Sequence, residues 1–341
     1  MKQQNNHWIK KWWRGLKYDP GDPNYYEPVK IAAIGGGTGL SILLSGIKQV
    51  SHQLSAIVTV MDNGRSSGRI RDGLKMLPPG DIRKCLAALS RNNGMLKNIF
   101  EYRFAEDCGE LSGHAFGNIW LAALTDYFGS FEKAIEESSN LLDTVGKVFP
   151  STLDKADLLC KFKNGDKVIG EQQIAETNKP ISKISLTKPA QAYEKATKAL
   201  ETADLILIGP GSLYTSIIPN FLIKGINEAV EKNKKATTIF ICNVSTERGE
   251  TENLTAEDHL KILMEYVSFH IDIMLVNSKI MKKTQDFHKI GEINNISSDK
   301  SEMLTTKVVS SDIIDETNPL YHNSAKLSKA VINSYHQVHK N

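Results

Sequence analysis

The chain has no apolar run near the roughly 18 residues that a membrane-spanning helix needs, and its N-terminus lacks the apolar core of a secretory signal. Both absences predict a cytoplasmic protein with no transmembrane segment. Cysteine is scarce: the four in 341 residues, Cys85, Cys108, Cys160 and Cys242, form no CxxC pair and show no metal-ligand spacing. That excludes a disulfide framework and a cysteine zinc site, and predicts reduced thiols. Charge of one sign is also missing, since a formal net charge of +3 is too small for a nucleic-acid partner. No internal repeat or low-complexity tract occurs. No Gly-Lys-Ser/Thr follows a glycine loop, so a Walker loop is absent. The strict dinucleotide pattern fails too, because its third glycine falls on Leu40 or Ile42 when counted from Gly35 or Gly37.

What is present is a composition able to bury a sizeable core, 40% hydrophobic and 24% charged. Trp8-Ile-Lys-Lys-Trp-Trp-Arg-Gly-Leu-Lys17 mixes aromatic and basic residues that suit a membrane surface, a protein partner or the chain's own domain. Asp19-Pro-Gly-Asp-Pro23 breaks any helix there, so residues 1–25 read as an extension. A single domain is expected over 26–341.

The domain opens on Lys30-Ile-Ala-Ala-Ile-Gly-Gly-Gly-Thr-Gly-Leu-Ser41, a short apolar strand that stops at glycines and turns into a helical pattern. Gly36, Gly37, Thr38 and Gly39 suit either a phosphate cradle or a tight turn that packs helix on sheet. Leu54–Val60 reads as a second buried strand, giving a βαβ opening. A mostly parallel, Rossmann-like α/β sheet with helices on both faces follows, with ligands at the carboxyl ends of the strands. The next segment, Met61–Arg71, has no apolar periodicity and reads as a loop. Ser66, Ser67 and Arg69 suit phosphate or carboxylate. Asp62 suits a ribose hydroxyl, a divalent cation such as Mg2+, or the cap of a turn.

Further along, Leu77-Pro-Pro-Gly-Asp-Ile-Arg83 predicts Asp81 as a helix N-cap, with Asp81 and Arg83 also candidates for ligand contact. His114 and Asn118, four residues apart at the start of another helix, share one face. A β-rich insertion is expected around 145–188, with strands near Ala156–Phe162 and Val168–Ile174 joined by a hairpin turn at Lys163-Asn-Gly-Asp166. A helix over Ala190–Glu201 and the apolar strand Asp204–Ile208 lead to a second glycine loop, Gly209-Pro-Gly-Ser-Leu-Tyr-Thr-Ser216. There Gly211, Ser212 and Thr215 are the candidate contacts, and a helical segment spans Ile217–Asn233. Ala236–Val244 is another strand, ending at Asn243. His259 is expected on the surface of a helix over Ala256–Ser268. A strand at Ile271–Asn277, a helix near Lys279–His288, a strand at Lys307–Val309 and an amphipathic helix over Ser324–Val338 complete the pattern.

In this order, Gly35-Gly-Gly-Thr-Gly39, Ser66-Ser-Gly-Arg69, Leu77-Pro-Pro-Gly-Asp-Ile-Arg83, Gly113-His114 with Phe116-Gly-Asn118, Gly209–Ser216 and Gly249-Glu-Thr251 resemble the CofD-like superfamily. The resemblance is to its bacterial YvcK branch, the gluconeogenesis factors, and runs from about Val29 to Ala330. It implies a protein that binds a nucleotide sugar such as UDP-N-acetylglucosamine, with roles in carbon metabolism, cell shape and envelope homeostasis. It also implies, as an alternative, a transferase of the archaeal kind, which moves 2-phospho-L-lactate with the help of a divalent cation. No catalytic residue is assigned, and the balance leans away from an enzyme. A homodimer and a further protein partner are compatible with the sequence.

Two departures bear on the ligand. The family usually carries two consecutive Asp after the second strand, where this chain has Asp62 and Asn63. Near the C-terminus the branch carries an Arg-His-Asp-x-x-Lys pattern and an upstream Tyr; here these are Tyr321-His-Asn-Ser-Ala-Lys326 and Phe287. Of that set, Lys326 is retained.

Overall fold

The computed structural model describes residues 29–91, 94–279 and 305–339. The extension at 1–25, the helix expected near Lys279–His288 and Phe287 lie outside, or almost wholly outside, these residues. Strands β1 (Ile31–Gly35), β2 (Leu54–Val58), β3 (Lys147–Pro150), β7 (Leu205–Ile208), β8 (Thr237–Ile241), β9 (Ile273–Asn277) and β10 (Lys307–Ser311) form one sheet in the order β10-β9-β8-β7-β1-β2-β3. Every pairing in it is parallel. The central strands are buried along their whole length, which is why they read as continuous apolar runs.

Side-chain alternation splits the core into two layers. Ile31, Ala33, Leu205 and Leu207 face one layer, closed by helices α1 (Gly37–Ile47), α3 (Gly80–Leu89), α5 (Phe116–Phe128), α6 (Phe131–Leu141) and α12 (Ser324–His339). Helices α2 (Arg65–Leu74) and α4 (Met95–Glu101) flank α5 on that side. Ala32, Ile34, Ile206 and Ile208 face the other layer, closed by α8 (Glu194–Glu201), α9 (Ile218–Phe221), α10 (Ile226–Lys232) and α11 (Ala256–Met264). The same layer is covered by a separate three-stranded antiparallel sheet, β5 (Lys167–Ile169), β4 (Leu158–Phe162) and β6 (Ile181–Leu186), in that order.

Several expectations change. The insertion is narrower than 145–188, because β3 pairs in the main sheet and only β4 to β6 stand apart. The strand expected over Val168–Ile174 ends at Ile169. Gly170, at φ 103°, turns the chain into a helix, α7 (Glu171–Thr177), whose single buried apolar residue is Ile174. The stretch Met61–Arg71 is not all loop: α2 begins at Arg65, with the Gly64 N–H bonded to Asp62 just before it. Its polar composition hides a helix whose working face points at a cleft rather than at the core. The Ala190–Glu201 helix starts only at Glu194, and Ile217–Asn233 is broken between α9 and α10 where Gly225 adopts φ 106°. His259 is buried at 1% exposure, with its Nδ1 donating to the Thr255 carbonyl one turn earlier.

Candidate functional site

The carboxyl ends of β1, β2 and β7 carry the two glycine loops and the segment from Asp62 to Arg69. Beside β2 an open cleft of about 870 Å³ is lined by Asp62, Ser66, Ser67, Arg69, Arg83 and Asn118, together with Lys84, Arg103, Ser112 and Gln172. Its floor is the start of α2. Ser66 is buried, lies 3.0 Å from His114 Nδ1 and accepts a bond of 3.0 Å from Asn118 Nδ2. Since Asn118 donates to Ser66, the serine hydroxyl is free to donate to the imidazole. Burial and the nearby guanidinium groups of Arg69 and Arg103 hold the His114 pKa below its ordinary value, so a neutral ring accepts that proton.

Arg69 and Arg103 are fixed by carbonyls on the loop before α5: Arg69 donates to Ser112 O, and Arg103 donates to Gly113 O at 2.6 Å. Arg83 comes from the first turns of α3 and is 8% exposed. Small residues let these groups converge. A Cβ on Gly80 would lie 2.3 Å from Ser67 Oγ and 2.4 Å from Asp62 Oδ2. Burial, and then the Asp81 charge, push the Asp62 pKa upward. Glu171, the first residue of α7, is raised well above the ordinary carboxylate value by burial and by Asp62 and Asp81.

Asp81 does not cap its own helix, which starts at Gly80 with Pro79 at the cap position. Its carboxylate reaches across to the glycine loop instead, accepting from the Gly37 N–H at 2.7 Å and pairing with Lys84 at 3.0 Å. Asp81 in turn is the main reason that the Lys84 pKa is raised. A carboxylate of the chain itself thus occupies the helix N-terminus where Gly36, Gly37, Thr38 and Gly39 were expected to cradle phosphate.

The two glycine loops also pack on each other. A Cβ at Gly39 would lie 2.6 Å from Pro210 O and 2.9 Å from Gly211 N, and one at Gly36 would meet Thr59 Cγ2 at 2.5 Å. Asn243 clamps Gly211 from the far side, accepting from its N–H at 3.1 Å and donating to its carbonyl at 2.8 Å. Behind this loop Ser212 donates to Glu250, while Thr215 donates to Ser212 Oγ at 2.8 Å. Burial, then the neighbouring Glu247, push the Glu250 pKa up to about 8. Gly211, Ser212, Thr215 and Asn243 are therefore brought together, but they are not among the residues that line the 870 Å³ cleft.

Lys326 is also placed apart, held by Asp312 at 3.0 Å and Glu316 at 2.5 Å. His322 is buried and donates through Nε2 to the Cys242 carbonyl at 3.1 Å, and burial pulls its pKa down to about 4. Sequence reasoning missed Lys84, Arg103, Glu171, Gln172 and Glu250. Only Glu250 carried a signal, as the middle residue of Gly249-Glu-Thr251. Asn63 plays a structural part, accepting from the Gln172 N–H at 2.9 Å and donating to Gln173 Oε1 at 2.9 Å, which ties the end of β2 to α7.

Among the described residues, no cluster of three His, Cys, Asp or Glu side chains could hold a metal ion, and no helix is long and apolar enough to cross a membrane.

Over residues 31–314 the chain matches the family described as 2-phospho-L-lactate transferase CofD. It is 39% identical over 308 residues to the gluconeogenesis factor of Halalkalibacterium halodurans, covering 89% of this chain and 95% of that one. Against the gluconeogenesis factor of Bacillus subtilis the identity is 45% over 252 residues, covering 73% and 79%. The crystal structure of a UPF0052-family protein from Bacillus halodurans has the same fold, with a TM-score of 0.85 at 37% identity, covering 90% of this chain and 99% of that one. The parallel sheet, the order of its glycine, serine and arginine segments, and these relatives agree: the chain belongs to the CofD family, in its gluconeogenesis-factor branch.

Proposed function

We propose that this protein is a cytoplasmic regulator that binds a nucleotide sugar, a UDP-sugar such as UDP-N-acetylglucosamine, and acts in carbon metabolism, cell shape and envelope homeostasis. The observation that carries the reading is the donor set of the cleft. Ser66 and Ser67 at the start of α2, with Arg69, Arg83 and Arg103 around them, suit a diphosphate. At about 870 Å³ the cleft is within the range of small-molecule sites. Asp62 and Asn118 supply acceptors for sugar or base hydroxyls and N–H groups. The Gly37–Asp81 bond ties the first glycine loop to α3, which carries Arg83 and Lys84 into this wall.

Titration with UDP-N-acetylglucosamine tests it. At 100 times its dissociation constant the ligand should stabilise the fold by about 2.7 kcal/mol. No thermal shift with any nucleotide sugar, with or without magnesium, would refute the reading.

Asp62 favours a second reading, a transferase acting on a phosphorylated substrate of the 2-phospho-L-lactate type with a divalent cation. Both Asp81 oxygens are engaged, by Gly37 and Lys84, and Glu106 accepts from Ser112, which leaves Asp62 as the cleft carboxylate beside the serines. Such a site fits Mg2+ only together with oxygens of the ligand's phosphate, the usual manner for this ion. Once bound there it would supply neutralising charge. In this reading Asp62→Asn abolishes turnover and magnesium dependence together, whereas a sensor needs neither.

A further inference from the structure

Two side chains that line the cleft each carry a buried polar atom left open. Among the described residues, Arg83 Nε and Asn118 Oδ1 find no hydrogen-bond partner. Their residues are 8% and 2% exposed, and both line the cleft. The Arg83 stem is built in: a Cβ at Gly117 would lie 2.8 Å from its Cγ, 2.9 Å from its Cδ and 2.5 Å from the Phe100 carbonyl oxygen. Only glycine leaves room for that crossing, and Gly117 is the residue next to Asn118.

Arg103, Glu101, Asp81 and Asp62 act on the Arg83 guanidinium through space. Among the described residues none of these carboxylates makes an ion pair with it. Asn118 spends its amide on Ser66 and keeps its carbonyl oxygen free. Buried polar atoms left unpaired cost free energy, of the order of 1–3 kcal/mol each, which a ligand recovers by completing the bonds.

The two open groups are of opposite kind, one donor and one acceptor. An oxyanion satisfies only the first, and a plain hydroxyl is a weak partner for a guanidinium. Building on the phosphate-ligand reading above, we propose that Arg83 and Asn118 form a donor–acceptor pair that recognises a phosphate ester together with a hydroxyl or amide N–H on the neighbouring carbon. Sugar 1-phosphates and their nucleotide conjugates with a 2-hydroxyl or 2-acetamido group carry that arrangement. Their 2-deoxy analogues do not.

Isothermal titration of the full chain with UDP-N-acetylglucosamine, UDP-glucose and UDP-2-deoxyglucose tests the pair. The first two should bind at least about tenfold tighter than the third, since an analogue lacking a hydrogen-bonding group leaves the site's own group unpaired. Arg83→Gln should weaken all three at least about tenfold, with Arg83→Lys intermediate because it keeps charge but not the Nε donor. Equal affinity for the 2-deoxy analogue overturns the proposal, as does wild-type affinity in a folded Arg83→Gln variant. If Arg83→Gln does not fold, the ligand series on the wild type decides alone. If the wild type binds no UDP-sugar, the functional reading above falls. The pair is then judged on glucose 1-phosphate against 2-deoxyglucose 1-phosphate: a tenfold preference upholds it, and equal binding or none overturns it.

Discussion

The backbone N–H of Gly37 donates to the side chain of Asp81 at 2.7 Å, joining two segments 44 residues apart. It puts an internal anion at the first turn of α1, where a glycine loop in this kind of fold would receive a phosphate. The carboxylate is 5% exposed and also holds Lys84. Asp81→Ala should therefore destabilise the protein by about 2–3 kcal/mol, since a charged bond to backbone and the partner of a half-buried ammonium are lost together. Urea denaturation reads this as a lower midpoint at constant slope. An unchanged midpoint would show that Asp81 does not secure the loop.

Glycines on the two loops differ sharply from glycines elsewhere in what they tolerate. Gly39→Ala forces a methyl against Pro210 and Gly211 backbone and should cost about 1–3 kcal/mol. Gly73, near the end of α2, has nothing within 4 Å of its would-be Cβ. Alanine there should stabilise by about 0.5–1 kcal/mol by restricting the unfolded chain. The same thermal scans compare both variants, and a harmless Gly39→Ala would contradict the observed loop-on-loop contact.

Ser66 bridges His114 and Asn118 in a buried setting. Ser66→Ala strands both neighbours and should cost about 1–3 kcal/mol while weakening phosphate ligands. Ligand titration beside chemical denaturation separates the two effects. Loss of stability with full ligand affinity would make Ser66 a purely structural residue.

Above about pH 6.5, where the lowered histidines His114, His259 and His322 are neutral in the folded and the unfolded chain alike, stability should fall as pH rises to about 8. Glu250 has a folded-state pKa of about 8 against an ordinary 4.5, so between those values the folded protein holds a proton that the unfolded chain has lost. Its contribution is complete below the unfolded value and is gone above about pH 8. Asp62, Glu171 and Glu247 are shifted in the same direction by burial. Glu250→Gln should flatten the profile and gain relative to the wild type at pH 8.5. An identical slope in the variant would remove Glu250 as the source.

Much of this was legible in the residues. Unbroken apolar runs such as Leu205–Ile208 show buried parallel strands, and glycines after them mark the loops at the carboxyl edge. The Lys163–Asp166 turn between β4 and β5 was equally plain, with Phe162 N–H bonded to the Asp166 carbonyl at 2.9 Å. The rest depended on contacts between distant segments. Nothing local distinguishes an N-cap at Asp81 from a carboxylate that leaves its helix to hold Gly37. Helix α2 was hidden because its functional face replaces the apolar stripe by which helices are recognised. Gln172 was invisible as a site residue because the strand expected over Val168–Ile174 gives way, after Gly170, to a helix whose first turn lines the cleft.

Asn63 follows Asp62 at the end of β2, and its side chain grips α7 through Gln172 and Gln173. Tyr266, reached by the Ile184 N–H at 3.1 Å, anchors the three-stranded sheet at its other side. Helix α7 is thus pinned beside Asp62 by the Asn63 side chain, while an ion pair of 2.5 Å between Arg71 and Asp157 ties α2 to the start of β4. An aspartate at position 63 would have no amide hydrogens with which to hold the Gln173 side-chain carbonyl.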